Sequence, residues 1–196
     1  MMESADDARF IALVSEFLSA FPEAPPPPLD LASPWPEVAE AANRIQGHTW
    51  RTAPPEVLDA VHEALPWTGA ETFDYWLPGL LIDLAVDPRR AGMRTDALIL
   101  ALTPADSRDL AANLKALDRS RTEGGLREAT YAGAVRSVTD FHEHLRGPLF
   151  ASRWDCLTPA QQTAVRHALE YLAKERSRTD AAETLARLAK LNPPAG

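Results

Sequence analysis

One cysteine, Cys156, is all the chain has. A lone cysteine excludes an internal disulfide, and it excludes a zinc site built on several cysteines. Long apolar runs are missing as well. None approaches the ~20 residues that a helix needs to cross a bilayer. The most signal-like segment, Phe10 to Leu18, follows Glu3, Asp6 and Asp7 and is interrupted by Glu16. A secretory signal instead opens on basic residues and continues as an unbroken apolar run. The expectation is a cytoplasmic protein without membrane association. Alternating apolar and polar residues, the mark of a half-buried strand, occur nowhere over a useful length.

Positive charge is scarce in one half. Residues 1–87 hold fifteen Asp and Glu against three basic residues, Arg9, Arg44 and Arg51, which gives −12. Residues 88–196 hold thirteen acidic against seventeen basic residues, which gives +4, and the whole chain carries −8. An acidic half repels phosphates and so argues against nucleic acid as a partner. It suits a basic protein, whose approach the field would speed. The plainer account is an acidic half that packs against the basic half or is simply solvated.

What is present points to helices. The 45% hydrophobic content of the 196 residues is enough for a real core. The organising stretch is Thr68 to Pro88. Thr68 and Glu71 have the spacing of a capping box. Phe73, Trp76 or Leu77, Leu80, Leu81 and Leu84 recur at three- and four-residue steps and share a helical face. Pro78 has no N–H and crowds the carbonyl four residues back, so this central helix should bend or restart there. Trp76 is expected in the core, because an aromatic stripe at helical spacing is a buried face.

The other elements follow from caps and breakers. Residues 1–21 read as an amphipathic N-terminal helix with Phe10, Val14, Phe17 and Leu18 on its stripe. Such a short helix is marginal alone and must dock on something. Residues 22–32 are a proline-rich connector, in which Pro25 to Pro28 favour polyproline II. Residues 33–196 form the helical domain proper. Its helices start at Ser33-Pro34, with Trp35, Val38, Ala42 and Ile45 inward, at Pro54-Pro55, near Thr95, and at Thr103-Pro104-Ala105-Asp106. Gly47 to Trp50 is a turn leading to a buried indole. Asp118 to Gly125 reads as a charged mobile loop. Leu126 to Leu145 is the cleanest amphipathic run, terminated by Gly147-Pro148, with a connector over Phe150 to Leu157. Thr158-Pro159-Ala160-Gln161 combines an N-cap, a first-turn proline and a capping-box glutamine. A last helix covers about 180–191. The fold class is all-α, a single domain of about eight helices around a bent central one.

Candidate chemistry is sparse. His142 and His144 lie about 200° apart on a helix and cannot share one ion unaided. Asp140 and His144, like Asp83 and Asp87, are four apart and share a face, but a closed metal site needs three or four ligands. The His-Glu-x-x-His, Gly-x-Ser-x-Gly and Gly-Lys-Ser/Thr signatures are absent. Cys156 lies just before a helix start, where a thiol pKa can fall, yet its neighbours Trp154 and Leu157 argue for burial. No catalytic residue, metal or cofactor is expected. The binding candidates are Glu71, Asp74, Asp83 and Asp87 in the central segment, where paired carboxylates can act as acid and base, and Arg89 and Arg90 in the loop after it, whose forked N–H donors hold anions.

Gly47-His48-Thr49-Trp50, Thr68-x-x-Glu71-x-Phe73-x-Tyr75-Trp76-Leu77-Pro78, Leu80-Leu81, Asp87-Pro88 and Leu157-Thr158-Pro159-Ala160-Gln161 together resemble a bacterial family known only as a domain of unknown function. Its central motif resembles Phe-x-Tyr-Tyr-Leu-Pro, with Trp76 standing here in the second tyrosine position. The resemblance covers roughly residues 36–175 and implies a helical fold without catalytic residues. By analogy with small acidic bacterial proteins, it suggests an immunity partner. The first expectation for function is therefore a non-catalytic interaction protein, of immunity or regulatory type, whose acidic half binds a basic partner. The alternative is a small enzyme or ligand-binding protein using the clustered carboxylates and Asp140/His144.

Overall fold

A computed structural model describes residues 5–27, 36–64, 68–87, 93–125 and 127–191. The fold is all-α, and no strand occurs among the described residues. The helices are α1 (Ala5–Ala20), α2 (Pro36–Ile45), α3 (Pro55–Ala64), α4 (Ala70–Val86), α5 (Met93–Ala101), α6 (Ser107–Gly124), α7 (Glu128–Asp140), α8 (Gly147–Cys156), α9 (Pro159–Glu175) and α10 (Thr179–Leu191), with a π-helical stretch, Phe141–Arg146, joining α7 to α8. They cluster into two units. Unit 1 comprises Met1–Thr103 and Arg153–Gly196, and unit 2 comprises Pro104–Ser152. Ser33, Pro34 and Trp35 lie outside the described residues, as do Arg89 and Arg90, and so does the side chain of Val38.

Unit 1 is built around α4. Phe73, Trp76, Leu77, Leu80, Leu81, Leu84 and Ala85 are all at most 1% exposed, so the helix is buried over most of its circumference, as its apolar composition requires, and only a narrow face with Glu71, Asp74 and Tyr75 stays outward. It runs through Pro78 as one helix and does not restart there. The missing Pro78 N–H would have bonded to the carbonyl of Asp74. The expected Thr68 capping box does not form. Gly69 is the N-cap, in extended conformation, and the Thr68 carbonyl instead accepts a hydrogen bond from Arg153 Nη2 at 3.1 Å. Arg153 is itself buried, its guanidinium 4.5 Å from the centre of the Phe73 ring, and burial lowers its pKa to about 10. Gly79 permits a close crossing, since a Cβ there would lie 2.9 Å from the carbonyl oxygen of Trp50.

The pair α2–α3 packs on α4 through α3, α1 and α9 pack on each other and on α4, and α10 packs on α9 and α5. Trp50 is buried behind the turn at Gly47, whose φ of 83° suits glycine. The Thr158 capping box is present, with Gln161 Oε1 accepting from Thr158 N at 2.7 Å and Pro159 opening α9. Helix α1 docks on α9 and α4 through Leu13 and Phe17, and Phe21 just beyond its end is buried too. Its polar edge is pinned as well. Asp6 accepts hydrogen bonds from the Tyr171 hydroxyl at 2.8 Å and from Arg176 Nη1 at 3.0 Å. These bonds, Tyr171 first, hold the Asp6 carboxyl below its ordinary range, while burial and then Asp6 push Tyr171 up to about 12. Arg9 pairs with Glu175, and Glu16 meets His167 at 2.8 Å. Arg176 Nε also donates to the Ala85 carbonyl at 2.9 Å, near the end of α4.

Unit 2 departs from expectation in two places. Asp118 to Gly124 is not a loop but the last part of α6, which ends at a left-handed Gly125, where glycine costs least. Gly147-Pro148 does not terminate the preceding helical run, which continues through the π stretch into α8, and Phe150 to Cys156 is helical rather than a connector. A π turn accommodates one extra residue, so the hydrogen-bond ladder slips register just before the proline. Pro148, second in α8, then sits where an N–H is dispensable. Helix α6 begins at Ser107, capped by the Asp106 side chain on Arg108 N at 2.9 Å, three residues beyond Pro104.

Candidate functional site

The first turns of α4 open onto a cleft of about 370 Å³ in unit 1. Phe21, Pro22 and Trp50 supply apolar wall, and Glu71, Asp74 and Tyr75 project from α4. Cys156 and Gln161 close the far side. Local sequence explains the arrangement. Phe73, Trp76 and Leu77 turn to the core, which leaves positions 71, 74 and 75 on the outer face one turn apart. The non-helical segment 22–27 carries Pro22 and Pro27 to the cleft, and Pro27 also borders a second hollow beside Ala42, Ile45 and Trp76.

Asp74 is the unusual group. Its Oδ1 is shut off from solvent and accepts no hydrogen bond from the described residues. Burial alone pushes its carboxyl up from 3.8 to about 6, because a charge held in apolar surroundings loses hydration. Among the described residues no basic side chain offsets this. The Tyr75 hydroxyl is buried beside the backbone of Trp50 without a well-formed hydrogen bond, and burial raises its pKa too. Arg51 lies over the Trp50 ring at 5.0 Å, and its Nη2 is committed to the carbonyls of Phe21 at 3.0 Å and Leu18 at 3.3 Å. The cleft thus offers a desolvated carboxyl, a second carboxylate in Glu71 and an aromatic wall. That combination complements a cationic group carried on an apolar stem.

The structure brings together Glu71 and Asp74 and separates the other candidates. Asp83 and Asp87 lie ~13 Å and ~20 Å farther along the helix axis, at 1.5 Å per residue. Asp140 and His144 belong to unit 2, and both are exposed. His142 is paired with Asn113 at 3.0 Å. Among the described residues no group of three or more His, Cys, Asp or Glu is placed to hold a metal ion. Cys156 is exposed, against the burial its neighbours suggested. Arg153, Trp154 and Leu157 take the inward positions at helical spacing and leave Cys156 outside.

Sequence reasoning missed Trp50, Phe21 and Gln161 as lining groups, since they come from three distant segments. Tyr75 had a usable signal in its adjacency to Asp74. No helix of the described residues is long and apolar enough to cross a membrane. Compared with protein-family models, curated proteins and solved structures, the chain matches none.

Proposed function

We propose that this is a non-catalytic interaction protein, of immunity or regulatory type, which binds a basic partner and anchors one of its Lys or Arg side chains in the Asp74 cleft. The observation that carries the reading is the buried Asp74 oxygen without a hydrogen bond, beside Glu71 and the Trp50 wall. A buried carboxylate without a partner is costly, and a guanidinium or ammonium supplies the missing donor and counter-charge together. Charge supports the same direction. The −12 half lies wholly within unit 1. Asp6 pairs with Arg176 of the basic half, yet unit 1 as a whole keeps the net −8, whose field attracts a cation.

The test is calorimetric titration with an arginine- and lysine-rich peptide across pH and salt. Only ionised Asp74 attracts the cation, so affinity should rise as pH passes about 6 and then level. It should fall with added salt. Asp74→Asn should weaken binding about tenfold, the scale of one lost charge-assisted contact, and abolish the pH step. A step that persists in Asp74→Asn would belong to another group and defeat the reading. Equal binding of an acidic peptide would defeat it too. The ligand-binding alternative uses the same cleft, and a small organic cation that displaces the peptide would favour it.

A further inference from the structure

The α6–α7 hairpin of unit 2 has a seam that its own residues do not close. No residue of α6 or α7 is fully buried. Leu110, Leu114 and Leu117 of α6 and Tyr131, Val135 and Val138 of α7 fall on one face of each helix, and all six remain half-buried. The ends are stapled by polar contacts. At the turn, Arg121 pairs with Asp118 at 3.0 Å and lies 4.5 Å from the Tyr131 ring centre, and the Tyr131 hydroxyl donates to Asp118 at 3.1 Å. At the open end, Arg146 meets Asp109 at 2.8 Å and Asn113 meets His142. An apolar middle within a polar rim is the anatomy of an interface.

The π stretch, at the open end of the hairpin, adds apolar surface beside that rim. His142 and Arg146 point toward α6, as their contacts show. Phe141 and Leu145 each precede one of them by one residue, so both lie on the same flank of the seam. They are 40% and 51% exposed. A π turn re-aims side chains in this way and is frequent at functional sites.

We infer that a second copy of this chain covers the seam, so that two hairpins form a four-helix bundle about a two-fold axis. Charge selects this occupant. Unit 2 holds seven acidic and seven basic residues and is neutral, while the whole −8 lies in unit 1. A basic partner is drawn to unit 1, whereas a neutral hairpin meets its own copy without repulsion. Area agrees. A face ~27 Å long and ~20 Å wide covers ~500 Å² per copy, or ~1,000 Å² in all, which reaches the threshold for a specific interface at the weaker end of the range. Two helices alone leave a core open, and four close it.

Sedimentation equilibrium of the full chain, at low and high salt, tests this. A dimer that persists at high salt is expected, because apolar burial drives it. A monomer at every attainable concentration overturns the inference. The double variant Phe141→Glu, Leu145→Glu changes only exposed side chains, so the fold should survive, as circular dichroism would verify. Its dimer dissociation constant should rise by about two orders of magnitude, the scale of replacing apolar contacts with like charges that face one another. An unchanged dimer places the interface elsewhere. Independently, a spin label at Ser137→Cys in a Cys156→Ser background should show dipolar coupling between copies, since Ser137 is exposed on the flank that Phe141 continues. A dimer without that coupling also overturns the inference.

Discussion

Helices α4 and α6 are seventeen and eighteen residues long and differ in almost everything else. Ten residues of α4 are buried, and none of α6 is. The first is apolar over most of its circumference, with Glu71, Asp74 and Asp83 the exceptions, so nearly every side of it needs a neighbour. The second carries three leucines on one stripe among charges and alanines, and its neighbour α7 leaves that stripe only half-buried. Similar length and the same secondary structure therefore give a scaffold in one unit and an open hairpin in the other. Burial per turn, rather than helicity, sets how much a region resists local opening. The surface available for partners divides accordingly. Unit 1 presents a charged cleft at the start of the deeply buried α4, and unit 2 presents a neutral apolar seam.

The strongest way to break this comparison is to truncate one side chain in each helix. Trp76→Ala should cost about 3–5 kcal/mol, a cavity-scale loss at a position 1% exposed. Leu117→Ala should cost about 1 kcal/mol at concentrations where the chain is monomeric, because its side chain is only half-buried. Denaturant midpoints give both values, and equal losses would erase the distinction between the units.

A second pair of changes sharpens it by sign. Gly79→Ala in α4 drives a Cβ to 2.9 Å from the Trp50 carbonyl oxygen and 3.3 Å from its Cβ. Backbone must then shift, at about 1–3 kcal/mol. Gly133→Ala in α7 meets nothing within 4 Å and should stabilise by about 0.5–1 kcal/mol through helix propensity. Thermal melts of the two variants should move in opposite directions. A drop in both would mean that α7 is as tightly packed as α4.

The smallest effect is electrostatic. The folded pKa of Asp74, about 6, lies above the ordinary 3.8, so the folded state binds the proton more tightly than the unfolded one. Stability is then highest below about pH 4, falls as pH rises toward 6 and levels above it. The carboxylate is partly solvated, and screening reduces the loss to about 1 kcal/mol. Asp74→Asn should remove that slope and add about the same amount at neutral pH. A variant that keeps the wild-type profile between pH 4 and 6 would assign the slope to another group.

Much of this was legible in residue order because it depends on near neighbours. The all-α class came from the spacing of Phe73, Leu80, Leu81 and Leu84 and from the absence of alternating runs. The Thr158–Gln161 cap and the burial of Trp76 came the same way. Each is set within a turn or two of helix, where side-chain direction follows position. The misread boundaries had competing local rules. At Thr68, a capping signal lost to Gly69 and to a carbonyl taken by Arg153, eighty-five residues away. At Gly147-Pro148, a breaker signal lost to a π turn that no short-range pattern announces.

By itself the sequence determined the helices, the buried centre and the division of charge, since composition and periodicity act locally and additively. Only the tertiary structure decided which carboxylates meet. Glu71 and Asp74 share a cleft because Phe21, Trp50 and Gln161 arrive there from elsewhere in the chain, while Asp83 and Asp87, on the same helix, do not. Those long-range contacts also exclude water from Asp74 and raise its pKa. Desolvation is a property of everything packed around a group, and no stretch of sequence contains its own surroundings.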